Sequence, residues 1–416
     1  MARYRFLAAL GMALTLSCAP PRTTAPAARD DAATAAIRVM LAQNASAADV
    51  GANGGWYLLD SQRRLIARGG TSDRWRIERD GDRVRGVQGS VRSGWVEGPI
   101  YAVMTSDGFL NYNGRRYRGE LMFRAAPGGL LVLNRVRIDD YLAGVVPLEI
   151  GNRPASDSAA VQAQAIAARS YAYTHINPAD PRGYDVTSTV ADQVYGGVDV
   201  ETPLATRAIA STRGLVIKYA GRVVNAPYSA SCGGQTAEPS EVWNTGVDAP
   251  YLKRVSDRIA GSSRYYCDIG PRFTWTKTFD EPDLIGTINR YLATVTTVPG
   301  NNPGRPQSIA VVSKTPSDRV GELRITTDRG VFTIRGNDIR YVLRGAGGDI
   351  LYSTYFSVDS SQERDGYLRS LSLHGGGNGH GIGMCQWGAI GRARAGQDFR
   401  TILGTYYPGT SIGAAR

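Results

Sequence analysis

A single acidic residue, Glu149, stands inside the apolar run VVPLEI that begins at Val145. Burial among aliphatic side chains disfavours the charged form of a carboxyl group, so such an acid keeps its proton to a higher pH than an exposed one. A proton held in this way can be donated in general acid catalysis. The alternative is that Glu149 caps an element or pairs with a base, and the local pattern alone does not separate the two interpretations.

Three cysteines and two histidines in the second half of the chain form a second set of reactive groups. Cys232 lies in SCGG, Cys267 in YYCD and Cys385 in GMCQWG. Three thiolates and one histidine complete a tetrahedral zinc set, and His380, five residues before Cys385, is the predicted fourth ligand, with His374 in reserve. A disulfide between two of the cysteines is the alternative, and no CxxC spacing decides between them.

The segment after Glu149 predicts a helix. Ala159–Tyr173 contains no Gly or Pro, and Ser156 or Asp157 suits the N-cap position. Small apolar residues recur along it at helical spacing, and this stripe is expected to pack in the core. Arg169 lies one position beyond the stripe and is expected to point toward a neighbouring site. His175, after the helix, is expected to cap its C-terminal end.

Strand-like runs lie on both sides of this helical region. Residues 37–126 alternate apolar and polar side chains around DG and NG pairs, which predicts a small β-rich domain. Residues 273–365 return to strand-like runs, as a β-rich insertion or a substrate-facing flap. The predicted fold class is α+β, a mixed catalytic domain with an Ala-rich helix. The predicted segments are a signal peptide 1–17, a linker 18–36, the β-rich domain 37–126, the catalytic domain 127–272 and 366–416, and the insertion 273–365.

The first residues of the chain are typical of an export signal. Two arginines precede an apolar run from Phe6 to Leu16, which is too short to span a bilayer. Cys18 follows as the lipid-modified cysteine of a lipoprotein would, although Thr15 stands where a branched aliphatic residue is expected. We therefore predict export to the cell envelope or periplasm, with a lipid anchor at Cys18 that attaches the protein to a membrane.

The chain is basic, with a formal net charge of +11 over 416 residues. Removal of residues 1–17 takes away two arginines and no acids, which leaves +9. Long-range attraction then favours anionic polymers or membrane surfaces as partners. Nucleic acid is a poor candidate, because the chain is predicted to be exported and has no Lys/Arg-rich run or nucleic-acid-binding motif. An envelope polymer fits better.

Several motifs follow one another in a fixed order: YLAGVVPLEI, AVQAQAIAARSYAY, VADQVYGG, YSASCGGQTAE with VWN and APYLKRV, and GHGIGMCQWGAIGRARAGQ with ILGTYYPGT. This order resembles the SpoIID/LytB family, named after a sporulation protein and an amidase-enhancer protein. The resemblance covers about residues 130–265 and 371–410. The family's sporulation members are lytic transglycosylases, so the resemblance implies cleavage of peptidoglycan glycan strands.

The resemblance also implies roles for two residues. By its place in VVPLE, Glu149 matches the family's catalytic glutamate, and Arg169 matches an arginine tied to activity. Such a glutamate protonates the leaving oxygen. It then acts as a base on the C6 hydroxyl of muramic acid, which attacks C1 and leaves a 1,6-anhydro end. No second carboxylate is obligatory, and Asp139, Asp140 and Asp192 are candidate helpers. For Arg169, a structural ion pair is the alternative.

The family motifs contain four candidate substrate-binding residues. Gln193 and Tyr195 lie in DQVYGG, and Gln386 and Trp387 lie in CQWG. Their amide and aromatic groups are of the kind that bind sugars, by hydrogen bonds and by stacking on the ring face. Packing in the core is the alternative for about half of them.

Relatives in this family often carry serine at the positions of Cys232 and Cys385. The resemblance therefore implies that any zinc is structural and that catalysis requires no cofactor. A second function class stays open beside the enzyme: a peptidoglycan-binding protein that stimulates a cell-wall amidase without cutting glycan. A hydrolase that produces reducing ends is a narrower rival.

Overall fold

The computed structural model describes residues 35–243, 248–345 and 347–415. These residues form several separate β-sheets together with helices, so the predicted α+β class is confirmed. Among the described residues, no helix is long and apolar enough to cross a membrane. Cys18, the predicted lipidation position, lies outside the described residues, as do the predicted signal peptide and most of the linker.

The N-terminal part of the described chain consists of short strands joined by turns. They are β1 Ala36–Ala45, β2 Ala48–Ala52, β3 Trp56–Leu59, β4 Leu65–Gly69, β5 Arg74–Asp80, β6 Arg83–Gln88, β7 Val91–Arg92, β8 Val96–Glu97, β9 Ile100–Met104, β10 Leu110–Tyr112, β11 Arg115–Tyr117, β12 Glu120–Ala126 and β13 Gly129–Arg137. In β5, for example, Trp75 and Ile77 are buried while Arg74 and Arg76 are exposed. This alternation lets the strand bury one face and keep the other in water.

These strands, with β14 (Val186–Thr187), form two sheets. The strand order is β14-β1-β13-β12-β9-β3-β4 in the first sheet and β11-β10-β2-β5-β6-β7 in the second, with β8 beside β6. The Tyr112 ring of β10 packs edge-on against the Phe123 ring of β12, with 6.3 Å between the ring centroids. Buried residues of both sheets therefore belong to one core.

The first sheet joins the N-terminal strands to the segment that carries Glu149. Strand β1 pairs with β13, with Ile37 opposite Val136 and Val39 opposite Asn134. Strand β13 leads directly into the first helix. Residues from the predicted β-rich domain and from the predicted catalytic domain thus lie side by side in one sheet, which fixes where the helical region begins.

The helices follow β13, and most of them contact one central helix. They are α1 Ile138–Ala143, α2 Val146–Ile150, α3 Ser158–His175, α4 Pro203–Ser211, α5 Pro239–Val242, α6 Glu281–Tyr291, α7 Asp338–Val342, α8 Gln386–Arg394 and α9 Phe399–Tyr406. Helix α3 packs against α1, α2, α4, α8 and α9. Because its neighbours come from distant parts of the sequence, α3 connects both parts of the predicted catalytic domain.

Helix α3 is the Ala-rich helix predicted over Ala159–Tyr173, extended by one residue at its start and two at its end. The predicted stripe understates its burial, because residues on nearly every face are buried. Small side chains let several helices approach it closely at once. Arg169 is 0% exposed, so the expectation that it escapes the buried surface is wrong.

The ends of α3 are held in different ways. Asp157 occupies the N-cap position but makes no side-chain cap; its carboxylate instead accepts hydrogen bonds of 2.8 and 3.0 Å from Arg394. His175 ends the helix, and its Nδ1 lies 2.7 Å from the carbonyl oxygen of Tyr171. The histidine thus bonds a backbone group of the last turn, as expected.

The C-terminal half adds smaller sheets and a second core. The remaining strands are β15 Leu215–Tyr219, β16 Arg222–Val223, β17 Tyr228–Ser229, β18 Thr274–Asp280, β19 Pro306–Lys314, β20 Val320–Thr327, β21 Gly330–Arg335, β22 Phe356–Gln362, β23 Leu368–Gly376, β24 Met384–Cys385 and β25 Ser411–Ala414. Sheets β18-β23-β22 and β19-β20-β21, with α6 and α7, enclose this core, which includes Phe279, Leu323 and Leu371. Most of the predicted insertion lies here.

Candidate active site and buried cysteine cluster

Glu149 lies in the short helix α2. Pro147 occupies its first turn, where a missing backbone N–H costs no helical hydrogen bond. Gly151 follows the helix with φ of 80°, a conformation that glycine adopts readily. The Glu149 side chain is partly buried, and its Oε1 accepts a hydrogen bond from the backbone N–H of Val194 at 2.9 Å. The backbone N–H of Val194 therefore fixes one carboxyl oxygen of Glu149.

The surroundings of Glu149 favour its protonated form. Val145, Val146 and Ile150 are buried, whereas Leu148 is 43% exposed. Burial raises the pKa of Glu149 from its ordinary value of 4.5 to about 7, although the hydrogen bond from the Val194 backbone acts in the opposite direction. A carboxyl group that titrates near neutral pH can both give a proton and take one back.

Three tyrosines and Gln193 accompany this carboxyl group. Gln193 accepts a hydrogen bond from Tyr141 Oη at 3.2 Å and donates one to Tyr228 Oη at 2.7 Å. Burial raises the pKa of Tyr141, Tyr171 and Tyr228, and the nearby charge of Glu149 contributes in each case. The three phenols therefore stay protonated. Each lies close enough to Glu149 to be affected by the charge of its carboxylate.

Two of the candidate helper acids are held by local partners. Asp192 accepts hydrogen bonds from Tyr171 Oη at 3.0 Å and from the Thr187 N–H and hydroxyl at 2.8 and 2.9 Å. Asp140 forms an ion pair with Arg137 at 2.9 Å. The Tyr171 phenol therefore bonds Asp192 and also feels the charge of Glu149.

Arg169 forms a buried ion pair inside the helical region. Its Nε donates to Asp139 Oδ1 at 2.9 Å. Its Nη1 donates to the carbonyl oxygens of Thr212 and Leu215 at 2.9 and 3.1 Å, and Nη2 to that of Ile209 at 3.3 Å. These contacts tie α3 to α1 and to the C-terminal end of α4. They match the structural alternative, while the catalytic role of Arg169 stays a prediction.

Three of the four predicted substrate-binding residues lie in the core. Gln193 and Tyr195 are buried, and Tyr195 Oη donates to Asn134 Oδ1 at 2.8 Å. Gln386 is also buried, and its Nε2 donates to Gln164 Oε1 in α3 at 3.1 Å. These side chains link loops to the central elements, and they position the site through packing.

Trp387 is the exception among the four. Its side chain is partly exposed, and the guanidinium group of Arg153 lies 4.9 Å from the ring centroid. The indole also packs against the backbone of Gly270, where a side chain would collide with it. Trp387 keeps some surface available for a ligand.

The three cysteines meet in one buried cluster together with an acid. The ligand atoms of Cys232, Cys267, Cys385 and Asp257 all lie within 4.8 Å of one another. The cysteines are free thiols, and the Sγ atoms of Cys232 and Cys267 are 3.7 Å apart. Burial raises the pKa of Cys232 well above its usual range and that of Asp257 to about 7. The donor set suits a soft divalent metal ion.

His380, the predicted fourth ligand, lies outside this cluster, where Asp257 takes the fourth place. Its Nδ1 accepts a hydrogen bond from the Ile382 N–H at 3.0 Å, and its ring also bonds the backbone of Tyr228. Burial lowers the pKa of His380 to about 3, so the ring is neutral. His374, the reserve ligand, is exposed on β23, where its Nδ1 lies 3.2 Å from Thr276 Oγ1.

A cavity of about 800 Å³ lies where the second core meets the SCGG loop. Its aromatic lining residues are Tyr265, Phe273, Trp275, Tyr355 and Phe356. His374 also lines this cavity, whereas Glu149 does not. The predicted insertion therefore contributes a concave aromatic surface of its own.

Comparison with known proteins identifies the family. Residues 126–219, which include α1 to α4 and Glu149, match the family described as Stage II sporulation protein, SpoIID. An uncharacterized protein of Brachyspira hyodysenteriae (strain ATCC 49526 / WA1) is 32% identical over 319 residues, 76% of this chain and 77% of that protein. The chain belongs to the SpoIID/LytB family. Residues 264–383 match a domain of unknown function, DUF8618.

Two relatives in the SpoIID/LytB family have descriptive names. The amidase enhancer of Bacillus subtilis (strain 168) is 31% identical over 303 residues, 65% of this chain and 40% of that protein. Stage II sporulation protein D of the same organism is 28% identical over 302 residues, 68% of this chain and 76% of that protein. The chain thus spans less than half of the enhancer's length. Family membership indicates a function related to the cell wall.

Neither Asp257 nor the group of tyrosines around Glu149 is indicated by a local sequence pattern. Asp257 lies in the segment RVSDR, where an acid between basic and polar residues is typical of the surface. The tyrosines around Glu149 come from α1, α3 and β17, which no local pattern joins. Odd cysteine counts could have prompted a search for carboxylate ligands as well as histidines.

Proposed function

We propose that this protein is a peptidoglycan lytic transglycosylase in which Glu149 acts as general acid and then as general base. The observation that carries the proposal is the partly buried Glu149 carboxyl group, whose pKa is raised to about 7. Its place in the segment that matches SpoIID supports the same assignment.

The chemistry requires two proton transfers, one from Glu149 to the substrate and one from the substrate to Glu149. Glu149 first donates its proton to the glycosidic oxygen, while positive charge develops at C1 of the muramic acid ring. The resulting carboxylate then removes the proton of the C6 hydroxyl, and O6 forms a bond to C1. The products are a new hydroxyl end and a 1,6-anhydro ring, and no water is consumed. Glu149 finishes protonated and ready for the next cycle.

The contacts of Glu149 suit this double role. The Val194 N–H holds Oε1, and among the described residues no hydrogen bond engages Oε2. Oε2 is therefore free to face a substrate oxygen. Asp140 and Asp139 are paired with arginines, and Asp192 accepts hydrogen bonds on both of its oxygens. These pairings favour a mechanism with one free carboxyl group over one that needs a second carboxylate.

The deciding experiment is mass spectrometry of products from defined glycan strands incubated with the purified protein. A transglycosylase gives anhydro-muramic acid ends, each lighter by one water than the corresponding hydrolysis product. Reducing ends of full mass would support a hydrolase and contradict the proposed role of O6. Incubation in ¹⁸O-labelled water adds a control, because only a hydrolase incorporates the label.

A second function is supported by the name of one relative, the Bacillus subtilis amidase enhancer. In that case the protein binds peptidoglycan and stimulates a cell-wall amidase without cutting glycan. Intact glycan strands after long incubation, together with faster release of stem peptides by an added amidase, would favour this function. A Glu149→Gln variant separates the two functions, since stimulation by binding does not require a proton donor.

A further inference from the structure

The buried cluster of three cysteines and Asp257 has the composition of a metal site. Cys232 is 1% exposed, and Cys267, Cys385 and Asp257 are each 0% exposed. The four residues come from the loop after β17, a segment near residue 257, the 3₁₀ turn at 266–269 and the start of α8. Single buried cysteines are common, but three thiol groups that converge on one carboxyl group form a set of donors of the kind that binds a metal ion.

Two of the distances within the cluster have the values expected for tetrahedral coordination. With zinc–sulfur bonds of about 2.3 Å and zinc–oxygen bonds of about 2.0 Å, tetrahedral geometry places two sulfurs about 3.8 Å apart and a sulfur and an oxygen about 3.5 Å apart. The Sγ atoms of Cys232 and Cys267 are 3.7 Å apart, and Cys232 Sγ lies 3.4 Å from Asp257 Oδ2. Both separations match the edges of such a tetrahedron.

Hydrogen bonds from the surroundings favour an anionic cluster. Cys385 Sγ accepts hydrogen bonds from the N–H groups of Cys232 at 3.1 Å and of Gly388 at 3.4 Å. Cys385 is also the N-cap residue of α8, where the positive end of the helix dipole stabilises negative charge. These donors are the usual partners of a metal-bound thiolate.

Two buried arginines supply opposite charge. Arg392, 7% exposed, pairs with Asp257 Oδ1 at 3.1 Å. Arg319, 1% exposed, donates from Nη2 to the carbonyl oxygen of Cys232 at 2.9 Å, while its Nε and Nη1 have no hydrogen-bond partner among the described residues. A divalent ion with three thiolates and one carboxylate carries two negative charges, which these two arginines balance. The charges of Cys232, Glu241 and Cys385 all act on Arg319, so thiolates in the cluster add to the negative charge that this arginine faces.

Asp257 is oriented as a ligand with a supporting shell. Its Oδ1 accepts hydrogen bonds from Arg392 and from Tyr406 Oη, the latter at 2.6 Å. Its Oδ2 is the atom that faces Cys232. Gly388 of α8 lies against this carboxylate, and a side chain there would collide with Asp257 and Tyr406. The packing thus admits Asp257 to the cluster and leaves one oxygen free for coordination.

We propose that Cys232, Cys267, Cys385 and Asp257 bind one zinc ion in a closed, structural site. Binding releases the thiol protons, and the ion takes four protein ligands with no open position for water. The site connects the SCGG loop, the 3₁₀ turn at 266–269 and the start of α8. Because these segments are far apart in sequence, the ion acts as a cross-link of the C-terminal region.

The first test uses the unmodified protein, purified without added metal and without chelator. Inductively coupled plasma mass spectrometry is expected to find about one zinc per chain. X-ray absorption at the zinc edge is expected to show three sulfur neighbours at about 2.3 Å and one lighter neighbour at about 2.0 Å. Because this test needs no variant, it does not depend on whether a mutant folds.

Variants then assign the ligands. Cys267→Ser and Asp257→Asn are expected to lower the zinc content at least about tenfold after dialysis against a chelator, and to lower the melting temperature. His380→Ala is the matched control, because it removes a nearby, partly buried imidazole outside the cluster and is expected to keep about one zinc per chain. Titration with a mercurial reagent adds a readout on native protein: zinc release should accompany modification of the three thiols.

Specific outcomes would overturn this site. Metal-free native protein that retains three titratable thiols rules it out, and so does metal-free protein lighter by two hydrogen atoms with a Cys232–Cys267 disulfide in its peptide map. If His380→Ala loses zinc while Asp257→Asn retains it, the fourth ligand is His380 and the proposed role of Asp257 is wrong. An X-ray absorption spectrum with only oxygen and nitrogen neighbours would assign the bound metal to another place.

Discussion

The Glu149→Gln substitution tests the proton-transfer mechanism most directly. Glutamine keeps the size of the side chain, and its amide oxygen can still accept the Val194 N–H that now holds Oε1 at 2.9 Å. The amide has no carboxylic proton to donate. General acid–base catalysis by a positioned side chain typically contributes about 10²- to 10⁴-fold, so turnover is expected to fall about a hundredfold or more. Binding of glycan strands is expected to persist, because the substitution keeps the size of the side chain and leaves its neighbours unchanged.

The same substitution should also change how the free energy of unfolding depends on pH, because the pKa of Glu149 is raised. Moving the pKa of Glu149 from 4.5 to about 7 corresponds to at most about 3 kcal/mol of free energy. The folded state prefers the protonated form, so this contribution is present below pH 4.5 and is lost as the pH rises toward about 7. Glutamine does not ionise. Relative to the native protein, the variant should therefore gain stability between these two pH values.

The assay combines product mass spectrometry with urea unfolding at pH 4.5, 6 and 8. The exposed Glu97→Gln variant is the matched control, and it should show neither the loss of turnover nor the pH-dependent gain in stability. The activity of the native protein should also decline above about pH 7, by about tenfold per pH unit where proton donation limits the rate. Robust glycan cleavage by folded Glu149→Gln protein would refute the mechanism, and a pH-independent stability difference would refute the raised pKa.

Three further predictions concern other parts of the chain. Arg169→Ala breaks the buried ion pair with Asp139 and is expected to cost about 3–5 kcal/mol of unfolding free energy. Reduced turnover per folded molecule would support the predicted catalytic role, whereas unchanged turnover would assign Arg169 a structural role only. Gly388→Ala places a methyl group against the Asp257 carboxylate and is expected to lower both the melting temperature, by an overpacking cost of about 1–3 kcal/mol, and the zinc content. Cys18→Ser is expected to stall processing or release the protein from membranes, and unchanged membrane partitioning would argue against the lipid anchor.

The sequence was most informative where local patterns decide the structure. The Ala-rich segment without Gly or Pro predicted a helix whose bounds differ by only one and two residues from those of α3. The apolar run around Glu149 predicted a raised pKa, and burial of the Glu149 carboxyl group raises that pKa to about 7. Both features depend on residues that are close in sequence, so local composition carries the necessary information.

Features that depend on distant contacts were harder to predict. Arg169 is enclosed because α1 and α4 cover the face of α3 that the helical stripe left open. Asp257 joins the cysteines through the bridges Gln235 to Ser256 and Arg258 to Tyr265, which bring its segment beside the SCGG loop and the 3₁₀ turn. The spacing of the cysteines in the sequence does not indicate that the Asp257 segment pairs beside them. Histidine was the predicted neighbour of the cysteines, but the fold places the Asp257 carboxylate beside them instead.

The cysteine cluster and the candidate active site are joined through a short series of contacts. Ser229 pairs with Cys385 in the parallel strands β17 and β24, and Tyr228 is its neighbour in β17. Tyr228 Oη accepts a hydrogen bond from Gln193, the residue before the Val194 N–H that holds Glu149. An ion bound at Cys385 would therefore restrain β24, then β17, then the tyrosine that orients Gln193. Loss of the ion would then loosen β24 and β17, so the proposed zinc site and the position of the Glu149 carboxyl group are expected to be coupled through Tyr228 and Gln193.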